Sequence, residues 1–188
     1  HQQVQNVSGC LILPAFVDLC ASLREGEKQH GSIASETKAA AKAGFAHVVL
    51  PPNSKLVIDN AAIVAQILEK NQQANQVSVY PMGALTKGLD GKQPANMFAL
   101  SQAGCIAVTN ARHGLANDET LLRCLEYAAS LNLTVFFYPE EKALAQDGCV
   151  HDGFMASRQG LTGIPEVAET VALAKQLLMV EETGVRAH

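Results

Sequence analysis

The sequence contains no tryptophan, and aromatic residues make up only 5% of its 188 residues. It also lacks an excess of basic residues, because 14 Lys and Arg stand against 18 Asp and Glu, for a formal net charge of -4. Nucleic-acid-binding proteins neutralise phosphates with clustered Lys and Arg, so this balance argues against a nucleic-acid partner. No segment approaches the roughly 20 consecutive apolar residues of a membrane helix. A hydrophobic content of 48% suits a single globular domain spanning residues 1–188.

The five cysteines are odd in number and are not closely paired, which argues against a secreted disulfide framework. Most of them lie in apolar runs, as small buried thiols of a reducing compartment do. The opening residues, HQQVQNVSG, are polar and lack the basic start of a secretory signal peptide. We therefore expect a cytoplasmic protein.

Short apolar segments alternate with helical patterns along the whole chain. The predicted strands are apolar on both faces, as in sheets covered on both sides, and span residues 16–22, 46–52, 78–85, 105–110 and 134–139. Apolar residues recur at helical spacing over residues 34–44, 61–74, 97–104, 118–132 and 165–184, and a sixth strand begins in residues 185–188. Ser35 and Asn117 are the predicted N-caps of two of these helices.

A strand followed by a helix, repeated five times, indicates parallel βα units. The first strand is not followed by the glycine-rich phosphate turn that would support an open doubly wound sheet. A TIM-type barrel takes about 250 residues, so 188 residues fit part of one. The predicted fold is therefore α/β, a partial (β/α) barrel of about five units with parallel strands in sequence order.

In such a barrel, functional residues lie at the carboxyl ends of the strands. Composition alone provides no cluster of His or Asp there, whereas a catalytic metal needs at least three converging ligands. Glu140 and Glu141 could act as acid and base, but neighbours at a strand end point in opposite directions. Arg112 and His113 could touch an anion, although an exposed loop is the default explanation.

Several segments together resemble the dihydroorotases of the cyclic amidohydrolase superfamily. They are LPAFVDLCASLRE (13–25), IASETKAAAKAGFAHVVLPPNSKLVIDN (33–60), GALTKGLDGK (83–92), LRCLEYAASLNLTV (122–135) and GLTGIPEVAETVALAKQLLMVEETGVRAH (160–188). The resemblance keeps order and spacing nearly end to end. It implies less than half of such a protein, without the N-terminal β-sandwich strands and the last barrel strands.

The resemblance also implies that the metal site is lost. Two metal ions, zinc in this family, activate a hydroxide for attack on a cyclic amide. Cys20 and Ser22 stand where the family motif Asp-x-His-x-His-x-Arg has its two histidines. Asn110 replaces a bridging Asp, and Tyr138 replaces the histidine that ends the fifth strand. We therefore expect no catalytic residue, no bound metal and no cofactor.

Two substrate-contact positions match the family better than the metal positions do. Arg24 corresponds to the arginine that binds the substrate carboxylate, and Asn53 to its partner asparagine. Both have ordinary explanations, because Arg24 could pair with a nearby carboxylate and Asn53 could cap the turn after two prolines.

A scaffold without metal ligands resembles the non-catalytic dihydroorotase homologues, which in some bacteria associate with aspartate transcarbamoylase. The leading hypothesis is therefore a non-catalytic subunit of pyrimidine biosynthesis in a homo- or hetero-oligomer with that enzyme. One alternative is an active dihydroorotase that hydrolyses dihydroorotate to N-carbamoyl-aspartate. A weaker alternative is a sensor that holds a carboxylate ligand at Arg24 and Asn53.

Overall fold

The computed structural model describes residues 6–23 and 31–188, and Arg24 lies outside the described residues. Strands and helices alternate in these two ranges. They are β1 (Phe16–Asp18), α1 (Ile33–Lys42), β2 (Phe45–Leu50), α2 (Ala61–Ala74), β3 (Ser78–Ala84), α3 (Met97–Ala103), β4 (Ala107–Thr109), α4 (Asp118–Ser130), β5 (Thr134–Phe136), α5 (Lys142–Ala145), β6 (Val150–His151), α6 (Phe154–Gln159), β7 (Gly163–Ile164), α7 (Val167–Thr183) and β8 (Arg186–Ala187).

Six of the strands form one parallel sheet in the order β1-β2-β3-β4-β5-β8. The predicted partial TIM-type α/β fold, with parallel strands in sequence order, is confirmed. The strand predicted at the end of the chain is β8, and it pairs with β5 through Thr134 and Arg186. Because parallel strands put all their carboxyl ends on one edge, the loops after β1 to β5 share that edge.

The strands are apolar on both faces because a cluster of apolar side chains packs on each face of the sheet. Val48 and Leu50 of β2 belong to a core cluster with Val64 of α2, whereas Val49 between them belongs to a second cluster on the opposite face. Farther along the sheet, Val135 of β5 packs in a third cluster with the residues of α4. This alternation explains why the sequence shows continuous apolar runs instead of an alternating pattern.

Between β5 and α7 the chain makes an excursion that the sequence pattern does not predict. It contains α5, α6 and a separate two-stranded parallel sheet in which Val150 pairs with Gly163 and His151 with Ile164. Strands of two residues are too short to show a hydrophobic period. Within the described ranges, no helix is long and apolar enough to cross a bilayer.

The prediction that the cysteines are mostly buried is wrong. Cys10, Cys20 and Cys149 are exposed, and only Cys105 and Cys124 are buried. Burial raises the pKa of both buried thiols to about 12, so they stay protonated at neutral pH. Apolar sequence neighbours did not predict the burial of these cysteines. Cys10 and Cys149 lie outside the strands and helices, where a side chain need not face the core.

One of the two predicted N-caps is confirmed. The Asn117 side chain accepts a hydrogen bond from the Thr120 amide at 2.8 Å, at the start of α4. The prediction for α1 is wrong by three residues, because Ser32 is its N-cap. Ser35 completes a capping box, in which its hydroxyl accepts from the Ser32 amide at 2.8 Å.

The cap of α4 generates the first prediction. Asn117→Ala removes the acceptor for the Thr120 amide and should lower the free energy of unfolding by about 1 kcal/mol. Asn117→Ser keeps an acceptor at this position and should cost much less. Urea denaturation followed by circular dichroism measures both variants, and equal losses in the two would contradict this role of the Asn117 side chain.

Candidate functional site

The loop after β1 carries two of the sequence-predicted positions and remains attached to β2. The Asp18 carboxylate accepts a hydrogen bond from the Cys20 amide at 2.9 Å, and the Ala21 amide donates to the Val49 carbonyl at 2.9 Å. The side chains of Cys20 and Ser22 are exposed. Both positions therefore face solvent at the carboxyl edge of the sheet.

The loop after β2 carries Asn53, which is exposed and makes no hydrogen bond to any described residue. The turn after the two prolines is held by other groups: the Ile58 amide donates to the Pro52 carbonyl at 3.2 Å, and the Ser54 hydroxyl donates to the Leu56 carbonyl at 2.8 Å. Asn53 is therefore not the cap of that turn within the described structure.

Asn110, after β4, has the most constrained side chain of the sequence-predicted positions. Its residue is only 7% exposed. Its Oδ1 accepts from the Thr86 hydroxyl at 2.7 Å and from the Thr86 amide at 3.2 Å. Its Nδ2 donates to the carbonyls of His113 at 3.1 Å and Gly114 at 3.4 Å. An amide can form all four hydrogen bonds because its oxygen is an acceptor and its nitrogen carries two donors.

The same junction continues into the loop after β3. The Thr86 hydroxyl also accepts from the Gly91 amide at 3.0 Å, and the Gly91 carbonyl accepts from the Ala116 amide at 2.9 Å. Gly91 has a φ of 75°, and a Cβ there would lie 2.4 Å from the Gly114 carbonyl oxygen. Only glycine fits this contact, so the two loops approach each other backbone to backbone.

Arg112 lies on a tight turn just after Asn110. Ala111 has a φ of 50°, and its amide donates to the Thr109 hydroxyl at 2.9 Å. The Arg112 guanidinium carbon lies 4.6 Å from the ring centroid of Tyr138, which follows β5 and is 41% exposed. A cation over an aromatic face is attracted by the ring quadrupole. Residues from two neighbouring strand ends are thus joined by a cation–π contact.

Cys20 lies in the electrostatic field of Arg112. Cys20 is exposed, but partial desolvation of its thiol and then the neighbouring Asp18 carboxylate raise its pKa, and the Arg112 charge partly opposes them. Arg112 thus contacts Tyr138, and its charge also acts on the Cys20 thiol. Asn110 is held in the junction by its hydrogen bonds to Thr86, His113 and Gly114.

A cavity of about 120 Å³ lies between the loops after β4 and β5 and helix α7, and we call it the β4–β5 cleft. Its lining includes Arg112, Tyr138, Glu141, Lys175 and Gln176.

The two lysines around the cleft both form ion pairs with carboxylates. Lys175 donates to Asp118 at 3.0 Å and to Glu141 at 3.1 Å, and chiefly the Asp118 hydrogen bond raises its pKa. Glu140 pairs with Lys142. Glu140 and Glu141 thus bind different lysines and do not face each other as an acid and a base.

Sequence reasoning missed Thr86 and Lys175. The role of each residue depends on which residues it contacts in the folded chain, and the local sequence pattern does not predict those contacts. A hydroxyl placed directly after the apolar run of β3 was the only available signal for Thr86. Among residues 6–23 and 31–188, no three His, Cys, Asp or Glu side chains are placed to hold a metal ion.

Comparison with known proteins identifies the family. The model of the "Dihydro-orotase-like" family matches residues 9–188. The chain belongs to this family. Its similarity to a dihydroorotase-like protein of Pseudomonas putida is 49% identity over 181 residues, which cover 96% of this chain and 43% of the relative. A dihydroorotase of Syntrophotalea carbinolica is 42% identical over 97% of this chain and 43% of its own length. The chain thus spans less than half the length of these relatives.

Solved structures support the same fold for this dihydroorotase-like chain. An L-hydantoinase from Arthrobacter aurescens matches with a TM-score of 0.72 and 18% identity, over 96% of this chain and 42% of the hydantoinase. A dihydroorotase from Saccharomyces cerevisiae, in complex with 5-fluoroorotic acid, matches with a TM-score of 0.62 and 14% identity, over 93% of this chain and 46% of that protein. The fold is that of cyclic amidohydrolases.

The Asn110 junction of the dihydroorotase-like chain generates the second prediction. Asn110→Asp replaces a donor by a carboxylate oxygen next to the His113 and Gly114 carbonyls. It should lower the free energy of unfolding at neutral pH by at least about 2 kcal/mol, because buried groups lose partners and gain repulsion. The loss should shrink at acidic pH, where the protonated carboxyl can donate.

The matched control is Asn53→Asp, which makes the same change at an exposed side chain without a described hydrogen bond. Urea denaturation at neutral and acidic pH measures both variants. A stability of Asn110→Asp equal to that of Asn53→Asp at neutral pH would show that the amide is not required.

Proposed function

We propose that this dihydroorotase-like chain is part of a non-catalytic, cytoplasmic subunit of pyrimidine biosynthesis that supports the assembly of aspartate transcarbamoylase. The observation that carries the proposal is the Asn110 side chain: its oxygen is committed to two buried hydrogen bonds and its nitrogen to two partly buried ones. This position, where the family resemblance places a bridging aspartate, supplies neither charge nor a free lone pair to a metal pair.

Recruiting the Asn110 oxygen to a metal would break its hydrogen bonds to the Thr86 amide and hydroxyl. The unpaired Thr86 groups would then be left buried, at a cost of about 1–3 kcal/mol for each group. A bond from the neutral amide to the metal would offset little of this free-energy cost, since an amide cannot balance the charge of two divalent ions. The junction therefore favours the structural use of this side chain.

The other three positions fit zinc no better. Cys20 could supply one thiolate, and a single protein ligand does not hold a zinc ion. Ser22 offers an alcohol, which is not among the usual zinc ligands. Tyr138 holds the Arg112 cation against its ring, and this charge repels a second cation. The residues present do not suit the family's zinc pair, and without a metal, water near neutral pH is a weak nucleophile.

A second candidate function is an active dihydroorotase. The observation in its favour is that several relatives 35–42% identical to this chain are named dihydroorotase, including those of Syntrophotalea carbinolica and Pelobacter propionicus. The two candidates differ in their need for bound metal and for a partner enzyme. Each therefore has its own experiment.

Metal content is the third prediction. The full-length natural protein, purified and dialysed, should contain less than one zinc per chain by elemental analysis. The double variant Cys20→His with Ser22→His should remain inactive towards dihydroorotate, because Asn110 and Tyr138 still cannot complete the site. A stoichiometric zinc content that falls when Asn110 is changed to Ala would contradict the proposal.

Association with aspartate transcarbamoylase is the fourth prediction. A stable interface buries about 1,600 Å² and needs no reactive centre. The full-length protein and the aspartate transcarbamoylase of the same organism should therefore elute as one complex in size-exclusion chromatography at micromolar concentration. Arg24→Ala should leave the complex intact, since a residue at the predicted mouth of the barrel does not carry the interface. Separate elution of the two proteins would contradict a scaffold role.

A further inference from the structure

The sequence contains three Asp–Gly pairs, and each is a potential site of spontaneous backbone rearrangement. They are Asp90–Gly91, Asp147–Gly148 and Asp152–Gly153. In such a pair the amide nitrogen of the glycine can attack the side-chain carboxyl carbon of the aspartate, because glycine has no Cβ to hinder the approach. The attack needs an accessible carboxyl group, a glycine amide that makes no hydrogen bond, and space for the backbone to turn. The fold meets these conditions at one pair and not at the other two.

The Asp90–Gly91 pair is protected by hydrogen bonds to both of its reacting groups. The Gly91 amide donates to the Thr86 hydroxyl at 3.0 Å, and this hydrogen bond is buried. The Asp90 carboxylate accepts from the Lys92 amide at 2.8 Å. Attack by the Gly91 nitrogen would therefore require at least one of these hydrogen bonds to break.

The Asp147–Gly148 pair is protected at its glycine. The Gly148 amide donates to the Ala145 carbonyl at 3.0 Å, at the end of α5. The glycine is also closely surrounded, since a Cβ built on it would meet the Ile164 side chain and the Ala145 carbonyl. The Gly148 nitrogen is therefore engaged, and its backbone has little room to turn.

The Asp152–Gly153 pair lacks these restraints. Both residues are exposed. Within residues 6–23 and 31–188, no group forms a hydrogen bond or ion pair with the Asp152 carboxylate, and none accepts a hydrogen bond from the Gly153 amide. A Cβ built on Gly153 would have open space around it, with no atom beyond the neighbouring residues within 4 Å. Both reacting groups of this pair are therefore available in the folded chain.

We propose that Asp152–Gly153 is a site of isoaspartate formation in the folded protein. The Gly153 nitrogen loses its proton and forms a bond to the Cγ of Asp152, while a C–O bond of the protonated carboxyl group breaks and one water molecule leaves. Water then adds to either carbonyl carbon of the five-membered succinimide and opens the ring. Opening at the main-chain carbonyl leaves an isoaspartyl residue, in which the main chain runs through Cβ. The reaction consumes no oxidant or cofactor, and it does not depend on the proposed scaffold function.

The rearrangement lengthens the connection between β6 and α6 by one methylene group. On one side of the new bond, the Asp152 amide donates to the Ile164 carbonyl at 2.9 Å and continues the pairing of β6 with β7. On the other side, the Ser157 amide donates to the Gly153 carbonyl at 3.0 Å in the first turn of α6. An atom inserted between these two contacts changes the position of α6 relative to the β6–β7 pair. It also leaves a free α-carboxylate at residue 152.

The primary experiment measures the uptake of heavy oxygen by the full-length natural protein, kept folded at neutral pH in heavy-oxygen water. Each passage through the succinimide adds one heavy oxygen atom to the aspartate. Trypsin, used afterwards in ordinary water, releases residues 143–158 as one peptide that contains both Asp147 and Asp152, and fragment masses assign the label. Asp152 should take up label at least about fivefold faster than Asp147 or Asp90. This factor corresponds to the hydrogen bond of about 1 kcal/mol that must first break at those two pairs.

The protein unfolded in urea is the control for intrinsic reactivity. The three pairs have the same Asp–Gly sequence, so their rates of label uptake should be similar when the chain is unfolded. Folding should slow the uptake at Asp90 and Asp147 and leave the uptake at Asp152 nearly unchanged. This comparison separates the effect of the fold from the effect of the sequence.

Variants test the two reacting groups. Asp152→Glu keeps the charge but would have to close a six-membered ring, so label uptake at residue 152 should fall to background. Gly153→Ala should lower the uptake at Asp152 severalfold, because the added Cβ hinders the attack. Alanine fits there, since the φ of 163° is extended backbone and the space around the Cβ is open. Asp147→Glu is the matched control and should leave the uptake at Asp152 unchanged.

A second readout detects the product itself. A protein isoaspartyl methyltransferase adds a methyl group to the α-carboxylate of an isoaspartyl residue, so it should methylate the natural protein after prolonged incubation and methylate Asp152→Glu much less. Two results would overturn the proposal. One is label uptake at Asp152 that is no faster than at Asp147 in the folded protein. The other is methylation that is equally strong in the natural protein and in Asp152→Glu.

Discussion

One buried amide joins two neighbouring loops at the carboxyl edge of this half-barrel. Asn110 is the point where the loops after β3 and β4 meet, and its four hydrogen bonds reach Thr86, His113 and Gly114. The contacts around it, including the glycine-specific approach of Gly91 to the Gly114 carbonyl, depend on those loops being in register. The turn that presents Arg112 to Tyr138 begins at this residue, so the shape of the β4–β5 cleft depends on the same amide.

A carboxylate could not replace this amide without cost. The family resemblance places a charged metal ligand at this position, where metal cations would balance its negative charge. In this chain the carbonyls of His113 and Gly114 accept hydrogen bonds from this side chain and so require a donor. The strand and helix arrangement does not require a charged residue at this position, because apolar clusters on both faces of the sheet hold it together.

Sequence reasoning predicted the repeated parts of the fold and missed the parts that depend on tertiary register. Runs such as residues 46–52 report a strand buried on both faces, and the Asn117 cap has a local signature. The β6–β7 pair has no such signature, because each strand has two residues. The neutral residue at position 110 was visible in the sequence, but its hydrogen bonds to Thr86 follow from the pairing of β3 with β4. The contact of Arg112 with Tyr138 likewise follows from adjacent strand ends.

The central claim is that this scaffold does not hydrolyse a cyclic amide, and the most direct measurement is the rate of dihydroorotate hydrolysis by the full-length natural protein with zinc added. The account predicts a rate no higher than that of buffer containing the same zinc. It also predicts no change when a chelator is added or when Asn110 is replaced by Ala. Turnover above the buffer rate that is abolished both by the chelator and by Asn110→Ala would contradict it, because the amide would then be acting at a working metal centre.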